Sequence, residues 1–461
     1  MLIPSETTVD ESDVLRWPPA RLQIEQDDRL RATVALCYEH HPYYGDLMRR
    51  LGLEPADIQD TGDLCKLPLT TKSDFLEAPE AFRLDLPTSL GESALLWDVM
   101  YTTGSTTGKP AAVYTTAADH HAYIFQAKRE GNFIGLSSAD TIANLLPLTA
   151  FPMGAYVRSA SDAAAVGAAM LWCHTGRAVG AEGIHRSLDE AIDLVVGHRA
   201  SVLWGIASFV RRFLLRCEER RVDLTSVRMC LVTGEAVPEP MRRALGALMK
   251  QNGCSGSQVV SRYGATELGT SLYDCAPDSG LHLLAPESIY LEVVNPEDHH
   301  PLPEGEVGLL ALSHLDRRGT VLLRYALGDL TALSREACPS CGRKTPRLVQ
   351  PPRRTAGIVK VKGTLVDANS LYESLAHLPD VRELQLVLTR EDPRDELSTD
   401  QLIVRVSADH LRQQDLEQSV ISKVRSLARV SPVVTFVTDD SLFDPLGGPK
   451  PRRIVDLRST S

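Results

Sequence analysis

Ten residues, Tyr101-Thr102-Thr103-Gly104-Ser105-Thr106-Thr107-Gly108-Lys109-Pro110, concentrate hydroxyls, glycines and one lysine. Backbone N–H groups and hydroxyl donors in such a loop can wrap phosphate oxygens. It is not the loop of a nucleoside triphosphatase, which needs four residues between its glycine and its Gly-Lys-Ser/Thr. Here Gly104 and Gly108 are separated by three residues, and Pro110 stands where the magnesium-binding hydroxyl would be. Taken alone, the segment reads equally well as a phosphate loop or a surface turn.

A second group is soft. Cys338-Pro339-Ser340-Cys341 is a CxxC knuckle, and Cys275 and His282 add a thiol and an imidazole upstream. Three thiolates and one imidazole suit a tetrahedral structural Zn²⁺ spanning residues 275–341. A redox dithiol is the weaker alternative, because its CxxC should open a helix after a strand. Reduced cysteines beside a surface histidine are the other.

Elements that could position these groups follow from hydrophobic periodicity. Helical spacing runs from Leu22 to Leu51, interrupted at His41-Pro42-Tyr43-Tyr44, and Leu67-Pro68-Leu69-Thr70-Thr71-Lys72 reads as an extended segment entering a helix. Short aliphatic runs at 141–146, 169–173, 201–205, 227–232 and 258–261 alternate with helical patterns, which predicts a parallel α/β sheet. The clearest unit is Met229-Cys230-Leu231-Val232, a turn at Thr233-Gly234-Glu235-Ala236, and a helix opened by Pro238-Glu239-Pro240. Ligands of open α/β sheets bind beyond the carboxyl ends of strands, so Thr233–Ala236 and Ser261–Glu267 are expected to face one crevice. After Leu281 the pattern changes to short strands with Pro and Gly turns, as an antiparallel β subdomain would. Pro351-Pro352-Arg353-Arg354 reads as a hinge, followed by a small α+β region with strands near 358–361, 384–388, 401–406 and 433–437 and helices at 369–378 and 414–427. The expected fold is therefore α/β: a large domain, 1–352, with a parallel sheet and an antiparallel subdomain, and a small mobile C-terminal domain, 353–461.

Composition agrees and narrows the function. At about 150 residues per domain, 461 residues make two or three domains. With 43% hydrophobic and 24% charged residues the chain is ordinary for a globular protein. A net charge of −11 argues against nucleic acid as the main partner, because phosphate backbones need a basic face. No apolar run approaches the ~20 residues of a membrane span, and Met1 to Asp13 is acidic and polar where a signal peptide would be basic and then apolar. A cytoplasmic protein is expected, with Cys37, Cys65, Cys173, Cys217 and Cys230 as reduced thiols.

Three further motifs complete the set: Ser261-Arg262-Tyr263-Gly264-Ala265-Thr266-Glu267-Leu268-Gly269, Arg324-Tyr325-Ala326-Leu327-Gly328-Asp329-Leu330, and Gly447-Gly448-Pro449-Lys450-Pro451-Arg452-Arg453. With the hydroxyl loop, in this order and spacing, the chain resembles the adenylate-forming superfamily of acyl-CoA synthetases, adenylation domains and luciferases. Within it the resemblance is strongest to the phenylacetate-CoA ligase branch, whose N-terminal stretch is similar to that through Lys72. Some of that branch carry a similar Cys, Gly-Leu-His and CxxC set. The resemblance implies an ATP-dependent, AMP-forming enzyme. Ser105, Thr106, Thr107, Gly108 and Lys109 would hold the β- and γ-phosphates. Tyr263 and Gly264 would lie against adenine, with Gly234 and Glu235 on its other side. Thr266 would reach the α-phosphate, Glu267 would hold Mg²⁺, Asp329 would bind the ribose hydroxyls with Arg354 nearby, and Lys450 would be the catalytic lysine. Phe151, Trp204, Gly205, Ser208 and Phe209 stand at positions that resemble the acyl pocket, whose apolar, aromatic character favours an aryl or arylalkanoic acid. The alternative for Trp204 and Phe209 is plain core packing.

The sequence also departs from the superfamily. Its hinge motif runs Gly-Arg-x-Asp-Asp, but this chain reads Arg353-Arg354-Thr355-Ala356-Gly357, so Ala356 replaces the aspartate about which the small domain turns. Gly357 supplies the conformational freedom instead, and a glycine that corresponds to Gly363 would border the thiol tunnel. Ala326 replaces the arginine of the ribose motif, and the glycine expected at position 105 stands one residue earlier, at Gly104. CoA is therefore the expected acceptor. An amine, carrier protein or other small nucleophile is the alternative, and a non-catalytic nucleotide-binding homologue the third reading. The expected partners are a small carboxylic acid, ATP and CoA, with a homodimer left open.

Overall fold

Pro42 disfavours helical backbone at the residue before it, and His41 accordingly sits at φ −105°, ψ 112° between α1 (Pro19–His40) and α2 (Pro42–Leu51). The imidazole Nδ1 of His41 then accepts from the N–H of Tyr44 and caps α2. The computed structural model describes residues 14–102, 110–148, 154–175, 186–235, 237, 239–354, 358–361, 364–392, 398–408, 413–428, 430–442 and 453–458. These fall into two compact units that divide between Pro352 and Arg353.

In the first unit, Thr71 and Asp74 form a capping box at the start of α3 (Lys72–Glu77). A hairpin of β1 (Leu96–Tyr101) and β2 (Ala112–Thr116) precedes α4 (Ala117–Ile134). Then β3 (Thr141–Asn144), α5 (Gly154–Val166), β4 (Ala169–Trp172), α6 (Leu188–Gly197), β5 (Val202–Gly205), α7 (Ala207–Arg220), β6 (Met229–Thr233), α8 (Glu239–Gln251) and β7 (Gln258–Gly264) alternate. Strands β3 to β7 pair in parallel. Both faces of this sheet are covered, and the pleat sorts its side chains. Val202, Trp204, Met229, Leu231 and Val260 pack with Ile134, Tyr156 and Ala163 of α4 and α5, whereas Leu203, Cys230 and Val232 pack with residues of α6, α7 and α8.

The antiparallel strands β8 (Ser271–Asp274), β9 (Leu281–Leu283), β10 (Ile289–Val294), β11 (Val307–His314), β12 (Tyr325–Ser334) and β13 (Arg347–Leu348) do not detach as a separate sheet. They continue the same one, in the order β10-β11-β12-β13-β9-β8-β7-β6-β5-β3-β4. The expected antiparallel region is thus present as an extension of the parallel sheet, joined where β8 turns back along β7.

The second unit opens with β14 (Arg353–Arg354) and contains β15 (Ile358–Val361), β16 (Thr364–Asp367), α9 (Ala368–Ala376), β17 (Val381–Arg390), β18 (Asp400–Ala408), α10 (Gln413–Ala428), β19 (Val433–Phe436), α11 (Asp439–Leu442) and β20 (Ile454–Asp456). A four-stranded sheet, β19-β18-β17-β20, is packed by α9 and α10 through Leu371, Leu375, Val420 and Val424. Among the described residues no helix is long and apolar enough to cross a membrane.

Candidate active site and metal centre

Parallel strands end where their chain turns to a helix, and those ends collect the polar residues of the motifs. β6 stops at Thr233, and the chain turns at Gly234 with φ 83°, a left-handed conformation suited to glycine. The carboxylate of Glu235 accepts from the N–H of Ser208 at 2.5 Å and from its hydroxyl at 3.3 Å. Ser208 lies in the first turn of α7, so Glu235 satisfies an N–H that the helix leaves open and complements its dipole. Gly205, which ends β5, leaves no room for a side chain: a Cβ there would lie 2.9 Å from Val210 and 3.2 Å from Leu145. Trp204 is fully buried in the core beneath α4 and α5, and Phe209 is half-buried beside it.

One strand over, the hydroxyl of Tyr263 donates to Asp329 Oδ2 at 2.7 Å. Asp329 reaches it because the β11–β12 ladder slips: Leu309 faces Leu330 but Ala311 faces Ala326, so Leu327 to Asp329 bulge out of register. Gly328 takes the positive φ, 78°, that the bulge needs. Beyond β7, Thr266 Oγ1 lies 3.4 Å from where a Cβ on Gly154 would stand, which places the start of α5 against this loop.

Glu267 is 6% exposed, and its Oε1 accepts from the Tyr325 hydroxyl at 3.4 Å and faces Lys72 Nζ at 3.9 Å. Lys72 is brought there by the extended segment read in the sequence. Thr70 N–H donates to Arg324 O and Ala326 N–H donates to Thr70 O, both at 2.9 Å, so Leu67–Thr71 docks alongside the start of β12. Neither Lys72 nor Tyr325 was singled out for this contact from sequence. Their own motifs pointed elsewhere, and the contact spans most of the unit.

Cys275, His282, Cys338 and Cys341 come together, each with a ligand atom within 4.8 Å of the others. Cys275 Sγ lies 3.7 Å from Cys338 Sγ, and Cys341 Sγ lies 3.7 Å from His282 Nε2. A tetrahedron with Zn–S of about 2.3 Å and Zn–N of about 2.0 Å has edges of roughly 3.6–3.8 Å, so the donor set fits zinc. The elements explain the approach. His282 sits in β9 opposite Tyr273 of β8 and Arg347 of β13, and the CxxC turn lies between β12 and β13. Gly342 closes that turn with φ 71° and donates to Cys338 O at 2.8 Å. His282 Nδ1 is 3.1 Å from Thr345 Oγ1, which orients the ring and leaves Nε2 toward the thiols. Burial raises the Cys338 thiol, but the N–H groups of Cys341 and Ser340 outweigh it and bring the thiol below its ordinary range. Of the remaining cysteines, Cys37, Cys173, Cys217 and Cys230 are buried and Cys65 is exposed, all as free thiols.

Arg354 belongs to the second unit, where its carbonyl accepts from Asn369 Nδ2 at 3.4 Å. Ser105, Thr106, Thr107, Gly108, Lys109, Phe151, Ala356, Gly357, Gly363 and Lys450 lie outside the described residues.

Comparison with known proteins fits this geometry. The sequence profile of the family described as AMP-binding enzyme matches residues 77–315. The chain is 26% identical to the phenylacetate-coenzyme A ligase of Thermus thermophilus, covering 96% of this chain and 98% of that protein. It is 23% identical to the enzyme of the same name from Escherichia coli K12, covering 95% of each. Among solved structures, 2-hydroxyisobutyryl-CoA ligase in a postadenylation state superposes with a TM-score of 0.78 at 19% identity, over 99% of this chain and 94% of that one.

Proposed function

The chain belongs to the AMP-binding enzyme family, and from that premise we propose that it performs ATP-dependent, AMP-forming activation of an aryl or arylalkanoic carboxylic acid, with transfer of the acyl group to CoA. The aryl acid and the CoA acceptor rest on the relatives named phenylacetate-coenzyme A ligase, which run nearly end to end with this chain. The observation that carries the reading is the cluster at the strand ends, where Tyr263 meets Asp329 and Glu267 meets Lys72.

The carboxylate oxygen of the acid attacks the α-phosphorus of ATP and pyrophosphate leaves, so negative charge gathers on phosphate oxygens and cationic and N–H donors are needed there. Ser105, Thr106, Thr107, Gly108 and Lys109 cradle the β- and γ-phosphates, and Thr266 reaches the α-phosphate. Tyr263 and Gly264 hold one side of adenine and Gly234 with Glu235 the other, while Asp329 accepts from the ribose hydroxyls. Glu267 holds Mg²⁺, a hard cation suited to one carboxylate plus phosphate oxygens, which neutralises phosphate charge when bound. Lys72, at 3.9 Å from Glu267, adds a fixed positive charge to the same place. Residues 353–461 form the small domain that carries Lys450 and Arg354 and turns after adenylation, and the thiol of CoA then displaces AMP from the acyl carbonyl. Cys275, His282, Cys338 and Cys341 hold a structural Zn²⁺ that closes the β8–β9 and β12–β13 connections. Phe151, Gly205, Ser208 and Phe209 border the acyl group, with Trp204 beneath.

The replacement of the hinge aspartate by Ala356 favours one second reading, in which the same adenylate passes to an amine or other small nucleophile. A panel of aryl acids with ATP and Mg²⁺, read for pyrophosphate and AMP with and without CoA, separates the two. A stoichiometric burst of pyrophosphate, becoming sustained AMP release only with CoA, is the expected result. Turnover that ignores CoA and rises with an amine replaces the first reading by the second.

A further inference from the structure

Arg324 stands immediately before β12 in a left-handed conformation, φ 48°, which a residue with a Cβ seldom adopts. Such a conformation persists only where the surrounding contacts over-determine it, and here they do. The residue is 3% exposed. Its N–H donates to Ser313 Oγ at 2.8 Å, and its carbonyl accepts from the N–H of Thr70 at 2.9 Å. Nε donates to Glu292 Oε1 at 3.1 Å, Nη1 to Leu67 O at 2.7 Å and Nη2 to His299 O at 2.7 Å. A guanidinium that is charge-paired and forked in this way holds its partners more firmly than neutral donors would. One residue therefore joins the extended segment at 67–70, β10, β11 and the turn at His299.

Two ends of this clamp lead to one atom. The segment gripped at Leu67 and Thr70 runs directly into Lys72, and the residue after Arg324 is Tyr325. Lys72 Nζ lies 3.9 Å from Glu267 Oε1, and the Tyr325 hydroxyl donates to the same oxygen at 3.4 Å. Among the described residues no hydrogen bond or ion pair reaches Glu267 Oε2. A carboxylate with one oxygen held by two donors and the other left over fits a hard cation.

We propose that Arg324 is a positioning residue for adenylation: by fixing the 67–71 segment to the start of β12, it holds Lys72 and Tyr325 on Glu267 Oε1 and leaves Oε2 to Mg²⁺. This rests on the adenylation reading above, in which Glu267 holds the metal. Arg324 acts through these neighbours and spends its own hydrogen bonds within the protein. Displacements on the order of 1 Å in a reacting site can cost about 10²-fold in rate, so a buried clamp remote from the chemistry can still control it.

The test is Arg324→Lys, which keeps a charge beside Glu292 but cannot reach the carbonyls of Leu67 and His299 as a fork. Hydrogen exchange reads the clamp without substrate. The amides of Thr70 and Ala326, which bond across the docked segment, should exchange about tenfold faster or more in the variant. Pyrophosphate release with ATP and the panel of aryl acids should slow by about tenfold or more, and the Mg²⁺ concentration for half-maximal rate should rise. Combined with Glu267→Gln, Arg324→Lys should add less than about twofold to the loss, because both act on one carboxylate. Should Arg324→Lys fail to fold in a thermal melt, Ser313→Ala, which removes only the acceptor of the Arg324 N–H, is read in the same way for effects of a few-fold. Amides that stay protected, faster exchange with an unchanged rate and Mg²⁺ requirement, or losses that multiply with Glu267→Gln would each overturn the positioning role and leave adenylation standing. A parent that releases no pyrophosphate with any aryl acid ends the adenylation reading, and the positioning role with it.

Discussion

Tyr263 and Asp329 lie 66 positions apart in the chain, yet the phenol of one donates to the carboxylate of the other at 2.7 Å. The bond joins the last parallel strand to a bulge in an antiparallel strand of the same sheet. An aromatic ring and a carboxylate are therefore presented together, the pair on which the proposed nucleoside contact rests.

Asp329→Ala should raise KM for ATP by about 10²-fold, the scale of two hydrogen bonds to a charged acceptor. Tyr263→Phe keeps the ring and removes only the tether, so its cost should be a few-fold. Steady-state kinetics with varied ATP check both. An unchanged KM for ATP in Asp329→Ala would end the ribose assignment.

What was legible in the sequence follows from how local the signal is. The β6 strand, its Gly234 turn and the proline-opened α8 could be read because apolar runs buried on both faces and turn glycines are local features. The hairpin of β1 and β2 was not read, since most β1 residues are half-buried or exposed and give no clean alternation. Cys275, His282, Cys338 and Cys341, which the structure brings together, were singled out by residue type and spacing. The contact of Lys72 with Glu267 and the buried partners of Arg324 depend on which segments lie side by side, and no window of sequence carries that information. Arg324 in particular stood inside a motif whose neighbouring residues explained its presence.

Zinc should co-purify at about one ion per chain from chelator-free preparations, because four soft donors already stand within 4.8 Å of one another. Cys338→Ser should lower zinc content and melting temperature together while the KM for ATP changes little. Metal analysis that finds no zinc would remove the centre.

Glu130 predicts how stability depends on pH. It is buried, accepts from Thr270 Oγ1 and the Tyr273 hydroxyl, and shares its surroundings with Asp162, Arg262 and Tyr123. Burial first, and Asp162 second, push its carboxyl up to about 7, against an ordinary value of 4.5. The folded state therefore binds a proton that the unfolded chain releases, and its contribution to stability is present at pH 4.5 and is lost as pH rises through 7. Glu130→Gln removes the titration. Denaturant melts should show the variant gaining on the parent between pH 5 and 8, by on the order of 3 kcal/mol at full titration. Parallel curves across that window would refute the assignment.

Lys450 carries the heaviest catalytic assignment. Adenylation brings two anions together, the acid carboxylate and the α-phosphate, and one ammonium on a long flexible stem can neutralise both. A lysine in Gly447-Gly448-Pro449-Lys450 suits a group that must arrive for the first step and leave before the second. If it is instead one more charge in a basic tail, it should matter no more than Arg452 or Arg453. Lys450→Ala should slow adenylate formation by about 10²-fold or more, the scale of one transition-state charge contact, with little change in ATP binding. Arg452→Ala and Arg453→Ala should stay within a few-fold of the parent. The thioester step, begun from chemically prepared acyl-adenylate and CoA, should survive in Lys450→Ala, because the lysine has by then withdrawn. Pyrophosphate release at the parent rate in Lys450→Ala would refute the role, and loss of both half-reactions would show that the residue maintains the fold of its domain rather than the chemistry of one step.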